Sequence, residues 1–564
     1  MPFTETDRVS QSVAAAAPRS GRPAKGGGRL LAVLAWTVAA ACLLPMLAVT
    51  LAALTGGTGT VSQLMDTVLP RYAATTLALA VMVACGTFTL GVGAAWLVTM
   101  TRFPGVRLFE IALVLPLAFP AYVLAYAYTY ILDHPGIVQS TLRQITGWGP
   151  RDYWFPEVRS LPGAALMLVL VLYPYVYLLA RAAFLQQSSA AFLAARTLGH
   201  STWSAFWRVS LPMARPAIAG GVLLTVMETI ADYGTVAHFS VQTFATGIYT
   251  SWFTLADRSA AAQLALCLLV FALMLAVAER MQRGRAQYHH TGKAHVRMPP
   301  EPLSGWRAGL AVTLCVVPVT LGFVLPVIVL FAMGIGSEQD LFSRRYIAFT
   351  SNSLTLAGIA ALVTLAAAIA VGFFQRSRPG RGAAFAGHVA RLGYAVPGGV
   401  IAVGLLVPFA AFDNRLDAWM RSTFDISTGL LVTGSIWLLV AAYMVRFLAA
   451  ALGAYEGGQA TVHANMDAAA RSLGKGPLGT LARVHLPILT PSLLTALLIV
   501  FVDVMKELPA TLIMRPFNFD TLAVQAHRLA ADERLDGAAV PSLVIVAVGL
   551  LPVILICRQV GRNR

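Results

Sequence analysis

Residues 194–212 read AARTLGHSTWSAFWRVSLP, and residues 469–487 read AARSLGKGPLGTLARVHLP. Ala194, Arg196, Gly199, Arg208, Leu211 and Pro212 return as Ala469, Arg471, Gly474, Arg483, Leu486 and Pro487, each pair 275 positions apart. The offset continues downstream without a gap. Pro216 maps to Pro491, Glu228 to Asp503, Asp232 to Glu507, Phe244 to Phe519, Thr246 to Thr521 and Asp257 to Asp532. Upstream, a proline inside an apolar run recurs as Pro120 and Pro397 with slightly different spacing. Self-similarity at a fixed offset makes the chain two copies of one unit.

The units around these segments are apolar. Of 564 residues, 57% are hydrophobic and 12% charged, with a mean hydropathy of +0.71. A soluble domain carries about 25% charged residues. The apolar residues gather into runs of roughly 20, the length of helix that crosses a bilayer core. They are too long and continuous for barrel strands of about ten alternating residues. The expected fold is therefore all-α integral membrane, with twelve transmembrane helices in two parallel six-helix repeats. Spans are expected near 31–54, 73–99, 107–131, 162–185, 214–233 and 260–279. The second set is expected near 308–333, 353–374, 388–411, 428–451, 489–508 and 538–557.

The net charge of +16 has no basic globular domain to carry it, which argues against nucleic acid. Basic residues instead occupy alternate connections, such as Arg102 and Arg107, or Arg376, Arg378 and Arg381. The intervening connections are mixed or acidic, such as Asp152 with Glu157, Glu338 with Asp340, and Asp413 with Asp417. The basic side is expected to be cytoplasmic, with both termini on it. Residues 1–29 are expected to be a disordered cytoplasmic N-terminus, 30–280 and 307–564 the two halves, and 281–306 a cytoplasmic linker. The linker's His289, His290 and His295 lack partner cysteines and do not make a convincing metal site. Cys42, Cys85, Cys267, Cys315 and Cys557 lie in or beside apolar runs without ligand spacing, and read as packing residues.

Six spans per half leave both copies in one orientation, a parallel repeat rather than the inverted repeat of many secondary transporters. Each matched segment precedes the fifth span of its half. It reads as a short helix, a glycine turn, a second helical stretch and then Leu-Pro opening the span. This is an elbow facing the cytoplasm, present twice. The pair resembles the coupling-helix signature of ABC-importer permeases: Glu-Ala-Ala, three residues, Gly, nine residues, Ile-x-Leu-Pro. Ala194, Ala195, Gly199, Val209, Leu211 and Pro212 fit it, as do Ala469, Ala470, Gly474, Val484, Leu486 and Pro487. The leading acid is replaced by Leu193 and Ala468, with Asp467 one residue earlier in the second copy. The resemblance implies that each elbow docks on one of two copies of a cytoplasmic ABC ATPase subunit. It also implies a periplasmic substrate-binding protein and a bacterial inner-membrane location. The chain has no GxxxxGK[ST] motif, so ATP and Mg belong to the partner ATPase and the chain is expected to be neither enzyme nor cofactor-bound.

The segments METIADYGTVAHFSVQTFATGIYTSW and VDVMKELPATLIMRPFNFDTLAVQAHRLA after the fifth spans look like those of ferric-iron permeases of fused, duplicated type. Iron(III) is the cargo this implies, with thiamine, another small organic cation or a phosphonate as alternatives. Glu228 and Asp232 are four apart, expected on one helix face, and Asp503 and Glu507 repeat the pair with the acids exchanged. Glu228 lies about 24 Å up the helix from Pro212. Ionisable groups within a span usually line a pathway, and oxygen ligands suit a hard cation. The same acids are equally placed to cap helix ends or pair with Lys506 and Arg515. Tyr173, Tyr175, Tyr177, Trp203 and Trp207 read as packing or interface groups. An ion-coupled secondary transporter is the competing class; it would have inverted repeats and no paired elbows.

Overall fold

The computed structural model describes residues 27–56, 66–187, 189–284, 300–337, 339–340 and 343–562. The N-terminal tail before residue 27 and the linker histidines lie outside the described residues. The first half comprises α1 (Gly27–Thr55), α2 (Leu69–Met100), β1 (Thr101–Arg102), α3 (Val106–Ala112), α4 (Ala121–Leu132), α5 (Ile137–Thr146) and α6 (Leu161–Gln186). It continues with α7 (Ser189–Thr197), α8 (Thr202–Ala231), α9 (Gly234–His238), α10 (Phe244–Tyr249) and α11 (Arg258–Gly284). β2 (Glu301–Pro302) lies at the end of the linker, and α12 (Gly305–Ile335) opens the second half. There follow α13 (Arg344–Ser377), α14 (Arg381–Leu392), α15 (Gly398–Phe424), α16 (Ile436–Gln459) and α17 (Ala464–Ser472). The half closes with α18 (Pro477–Met505), α19 (Pro509–Met514), α20 (Leu522–Ala531) and α21 (Leu535–Arg562). Among the described residues 11 helices are long and apolar enough to cross a membrane, or 12 if a bent pair counts as one span.

That bent pair is the expected span 107–131. It breaks at Pro120, where the two segments meet at 92°. The expected span 388–411 breaks at the matching proline, so α14 ends at Leu392 and α15 begins after Pro397. Both prolines precede the new helix rather than sit inside one. The residue before a proline is driven out of helical conformation, and Phe119 (ψ 134°) and Val396 (ψ 118°) are extended accordingly. The fourth span of the second half also starts later than the expected 428, at Ile436. Carboxylates of α15 hold the preceding loop open. Asp417 accepts from the backbone N–H of Thr428 (2.8 Å) and Gly429 (2.9 Å), and Asp413 from Val432 (3.1 Å) and Thr433 (2.8 Å).

The Leu-Pro pairs do not open their spans. α8 already begins at Thr202 and α18 at Pro477, and each runs through a π turn, Phe206–Ser210 or Leu481–His485, immediately before Leu-Pro. Proline in a helix clashes with the carbonyl four residues back. The wider turn removes the clash, because Leu211 N–H bonds Phe206 O and Leu486 N–H bonds Leu481 O, five residues back. The repeat thus preserves a bulge, not a helix start.

The halves interlock. α1 packs on the second half, where Trp36 stacks on Phe385 at 6.1 Å. Pro45 crosses α15 so closely that a Cβ on Gly404 would lie 2.3 Å from Pro45 O. α12 reciprocates on the first half: Tyr128 Oη donates to Leu321 O at 2.8 Å, and Phe119 meets Phe323 edge-on at 5.8 Å. The linker's last residues are tied down too. β2 pairs with β1, and Thr202 Oγ1 donates to Glu301 at 2.7 Å.

Candidate functional site: two elbows and a central charged cavity

The elbows are built by the same backbone device. α7 ends in left-handed Gly199 (φ 86°), with His200 N–H bonded to Ala195 O at 3.1 Å. α17 ends in Gly474 (φ 74°), with Lys475 N–H bonded to Ala470 O at 3.0 Å. This is a Schellman closure, which calls for glycine at the left-handed position. A Cβ at either glycine would touch nothing, so the requirement is conformational. Ala195 and Ala470 are buried beneath the elbows, whereas Ala194 and Ala469 face outward. Leu211, Pro212, Leu486 and Pro487 lie beyond the π turns, away from the tips. The tips carry a residue that sequence reasoning passed over: Leu198 is 80% exposed and its repeat mate Leu473 is 76% exposed. Large apolar side chains so placed on both copies mark a contact surface.

The two elbows are anchored by different chemistry. In the first, Trp96 packs on Phe206 at 4.4 Å and Phe192 at 6.1 Å. In the second, Asp467 stands at the position of Phe192. It accepts from Arg376 Nε at 2.8 Å and shares a 2.7 Å hydrogen bond with His485 Nε2. Arg376 also donates to the carbonyls of Gln459 (3.1 Å) and Val462 (2.6 Å). The acid displaced by one residue from the signature is therefore an internal staple. Burial raises the Asp467 pKa, but the bonds from His485 and Arg376 outweigh it and hold the carboxyl below its ordinary value. A depressed carboxylate stabilises the fold above the carboxylate range and loses that contribution as pH falls through it. Asp467→Ala is expected to cost about 2–3 kcal/mol. Proteolysis or hydrogen exchange should show loosening confined to α17, with α7 unchanged.

All four acids singled out in the sequence border one cavity of about 130 Å³ between the halves. Their settings differ from the simple one-face expectation. α8 ends at Ala231 and α18 at Met505, so Asp232 and Glu507 lie past the helix ends. Each folds the chain into the next short helix. Asp232 accepts from the N–H groups of Thr235 (3.0 Å) and Val236 (3.3 Å), and Glu507 from those of Ala510 (2.9 Å) and Thr511 (3.1 Å). Such local side-chain bonds compete with helix continuation and end it. Glu228 and Asp503 remain helical. Glu228 accepts from Tyr394 Oη at 2.9 Å, and Asp503 pairs with Lys506 at 2.9 Å. Arg515 instead pairs with Asp520 and takes no part.

Arg446, Lys506, Tyr122, Tyr175 and Tyr394 make up the rest of the charged and polar lining. Arg446 Nη1 is buried without a hydrogen-bond partner among the described residues. A Cβ on Gly398 would meet Arg446 Nη1 at 2.5 Å and Glu507 Oε1 at 2.8 Å, so that glycine leaves the space these charges share. Arginine in an otherwise apolar span was a readable signal for this site. Among the described residues no group of three or more His, Cys, Asp and Glu side chains converges to hold a metal ion. Counting four carboxylates against Arg446 and Lys506, the cavity carries excess negative charge.

Away from the elbows an ion pair links the halves. Arg159 bonds Asp133 at 2.9 Å and Glu533 at 2.8 Å and 2.9 Å, the latter across the halves.

Paired elbows, an interlocked parallel repeat and a charged cavity on the seam define a membrane permease. Residues 87–286 match the family described as the binding-protein-dependent transport system inner membrane component. The chain is 25% identical to the Fe(3+)-transport system permease protein FbpB 2 of Haemophilus influenzae, over 86% of this chain and 90% of that one. It is 24% identical to the ferric transport system permease protein FbpB of Actinobacillus pleuropneumoniae, over 74% of this chain but only 60% of that relative's length. The molybdenum transport system permease protein ModB of Escherichia coli strain K12 is 28% identical; the match covers 97% of ModB but 38% of this chain. The family match and these relatives support an ABC-importer permease subunit resembling the ferric-iron permeases.

Proposed function

We propose that this permease moves iron(III) from the periplasm to the cytoplasm of a bacterium, through the cavity bordered by Glu228, Asp232, Asp503 and Glu507. The carrying observation is the composition of that cavity. Four carboxylates against two cations favour a positive cargo over an oxyanion, which separates the ferric relatives from the molybdenum permease. Among positive cargoes, the ferric relatives favour iron(III) over an organic cation such as thiamine.

Two copies of a separate ABC ATPase dock on the elbows around Gly199 and Gly474, and a periplasmic binding protein delivers the cargo to the opposite face. ATP and Mg act in the ATPase; the permease is not itself an enzyme. Closure of the ATPases draws the elbows together and reorients the halves, with the chain in the inner membrane and the basic connections cytoplasmic. The test is ATP-driven uptake of labelled iron(III), thiamine and molybdate by a strain carrying only this importer. Iron alone should accumulate. Accumulation of thiamine or molybdate without iron would sink the assignment.

A further inference from the structure

The cavity lies between the halves, so each half supplies one wall, and the repeat allows the walls to be compared position by position. Glu228 matches Asp503 and Asp232 matches Glu507, so each wall carries two acids. The cations do not repeat. Lys506 stands where the first half has Ala231, and Arg446 where it has Val171, both at the 275-residue offset. Ala231 and Val171 border the cavity as well. Among the described residues, the first-half wall therefore has two acids and no lysine or arginine, and the second-half wall has two acids and two cations.

The second-half charges neutralise one another. Lys506 pairs with Asp503 at 2.9 Å. Arg446 Nη1 and Glu507 Oε1 converge on the space above Gly398, 2.5 Å and 2.8 Å from where a Cβ would stand. A guanidinium stays charged when buried, so it needs acids facing it. In the first half the acids meet neutral donors instead. Glu228 accepts from Tyr394 Oη at 2.9 Å, and Asp232 from Thr235 and Val236 at the start of α9. Tyr394 stands three residues before Pro397, where the first half has Leu117 three residues before Pro120. The second half thus lends the hydroxyl that orients the first half's acid.

We infer that the cation cargo sits against the first-half wall, at Glu228 and Asp232, while Arg446 and Lys506 are resident counter-cations that keep Asp503 and Glu507 from competing for it. This rests on the ferric reading above for the identity of the ion. An unpaired carboxylate attracts a cation at long range, whereas a carboxylate beside a fixed cation presents a dipole whose attraction fades faster with distance. Four unpaired carboxylates around one trivalent ion would also hold it too firmly, because a conducting site must be weak enough to release what it binds. With the unbalanced charge on one wall, separation of the halves leaves the ion seated on the first half. It is not stretched between two equal sites. Arg446 and Lys506 thereby set the position of the cargo without touching it.

The test compares repeat mates in the full chain, purified with its ATPase in lipid nanodiscs and titrated with labelled ferric nitrilotriacetate, alongside uptake in cells. Glu228→Gln should weaken iron binding by roughly tenfold or more, since it removes an unpaired charge. Asp503→Asn with Lys506→Met removes the mate of Glu228 together with its cation, and binding should stay within about threefold of wild type. Ala231→Lys sets a cation three residues after Glu228, as Lys506 stands three after Asp503. It should weaken binding by roughly tenfold or more with all four carboxylates in place. Uptake should follow binding in each variant. Size-exclusion profiles and ATPase co-purification establish that each variant is assembled. Equal losses in Glu228→Gln and in the paired second-half variant overturn the one-sided seat. Wild-type binding by Glu228→Gln or by Ala231→Lys overturns it too. A wild type that neither binds nor imports iron overturns the ferric reading, and the seat for that ion with it.

Discussion

Replacing Leu198 and Leu473 together with aspartate is expected to abolish co-purification of the ATPase and reduce uptake to background. Both side chains are more than three-quarters exposed in the isolated permease. Their substitution therefore removes nothing from its own core, and surface changes of this kind shift stability by only about 0.5 kcal/mol. Docking is another matter. A leucine buried in a partner's cleft contributes roughly 1.5–3 kcal/mol, or about ten- to a hundredfold in affinity for each elbow. Aspartate adds the cost of desolvating a charge. Single variants should retain partial coupling through the intact elbow, because the elbows are anchored independently: one by the Trp96 cluster, the other by Asp467. A double variant that still binds its ATPase and transports at the wild-type rate would remove the elbows from the mechanism. Gly199→Val with Gly474→Val should give a related defect for a different reason. A β-branched residue is strained at positive φ, so the tips would be misdirected rather than made polar.

The elbows were legible because the sequence repeats them. A 275-residue offset held across Gly199 and Gly474 carries information that one glycine turn does not. Span number was legible for a simpler reason: apolar run length maps directly onto bilayer thickness. Breaks within spans were less so. Pro120 and Pro397 were visible, but whether a proline kinks a helix or starts a new one depends on the extended residue before it. That follows from packing as much as from local preference. The four carboxylates were found as residues and misread as geometry. A spacing of four places two groups on one face only while the helix continues, and Asp232 and Glu507 are themselves the groups that end it. Arg446 and Tyr394 were missed because they lie outside the repeat-matched segments, and only the folded seam brings them to Glu228 and Glu507. The linker's pairing with β1 had no sequence signal: two residues of strand make no periodic pattern.

This division of labour among the acids predicts a graded response to neutralisation. Glu228→Gln with Asp503→Asn should lower iron uptake by more than tenfold while leaving the protein assembled. Removing one unit charge about 8 Å from a cation costs about 2 kcal/mol at an effective dielectric of 20, and more for a trivalent ion. Asp232→Asn isolates charge from architecture. Asparagine caps a helix about as well as aspartate, so the turn into α9 survives and any loss of transport is electrostatic. Asp232→Ala removes the cap as well, costing a further ~1 kcal/mol of stability. It should therefore lower assembly where Asp232→Asn does not. Lys506→Met separates the two halves of the site by sign. It frees Asp503 from its 2.9 Å partner and deepens the negative potential, so iron binding should tighten while release slows. A pathway role requires this opposition between Lys506 and the acids. Acids that merely cap helix ends would respond to loss of hydrogen bonding and not to charge, and quadruple neutralisation by Gln and Asn would then leave uptake unchanged in an assembled protein.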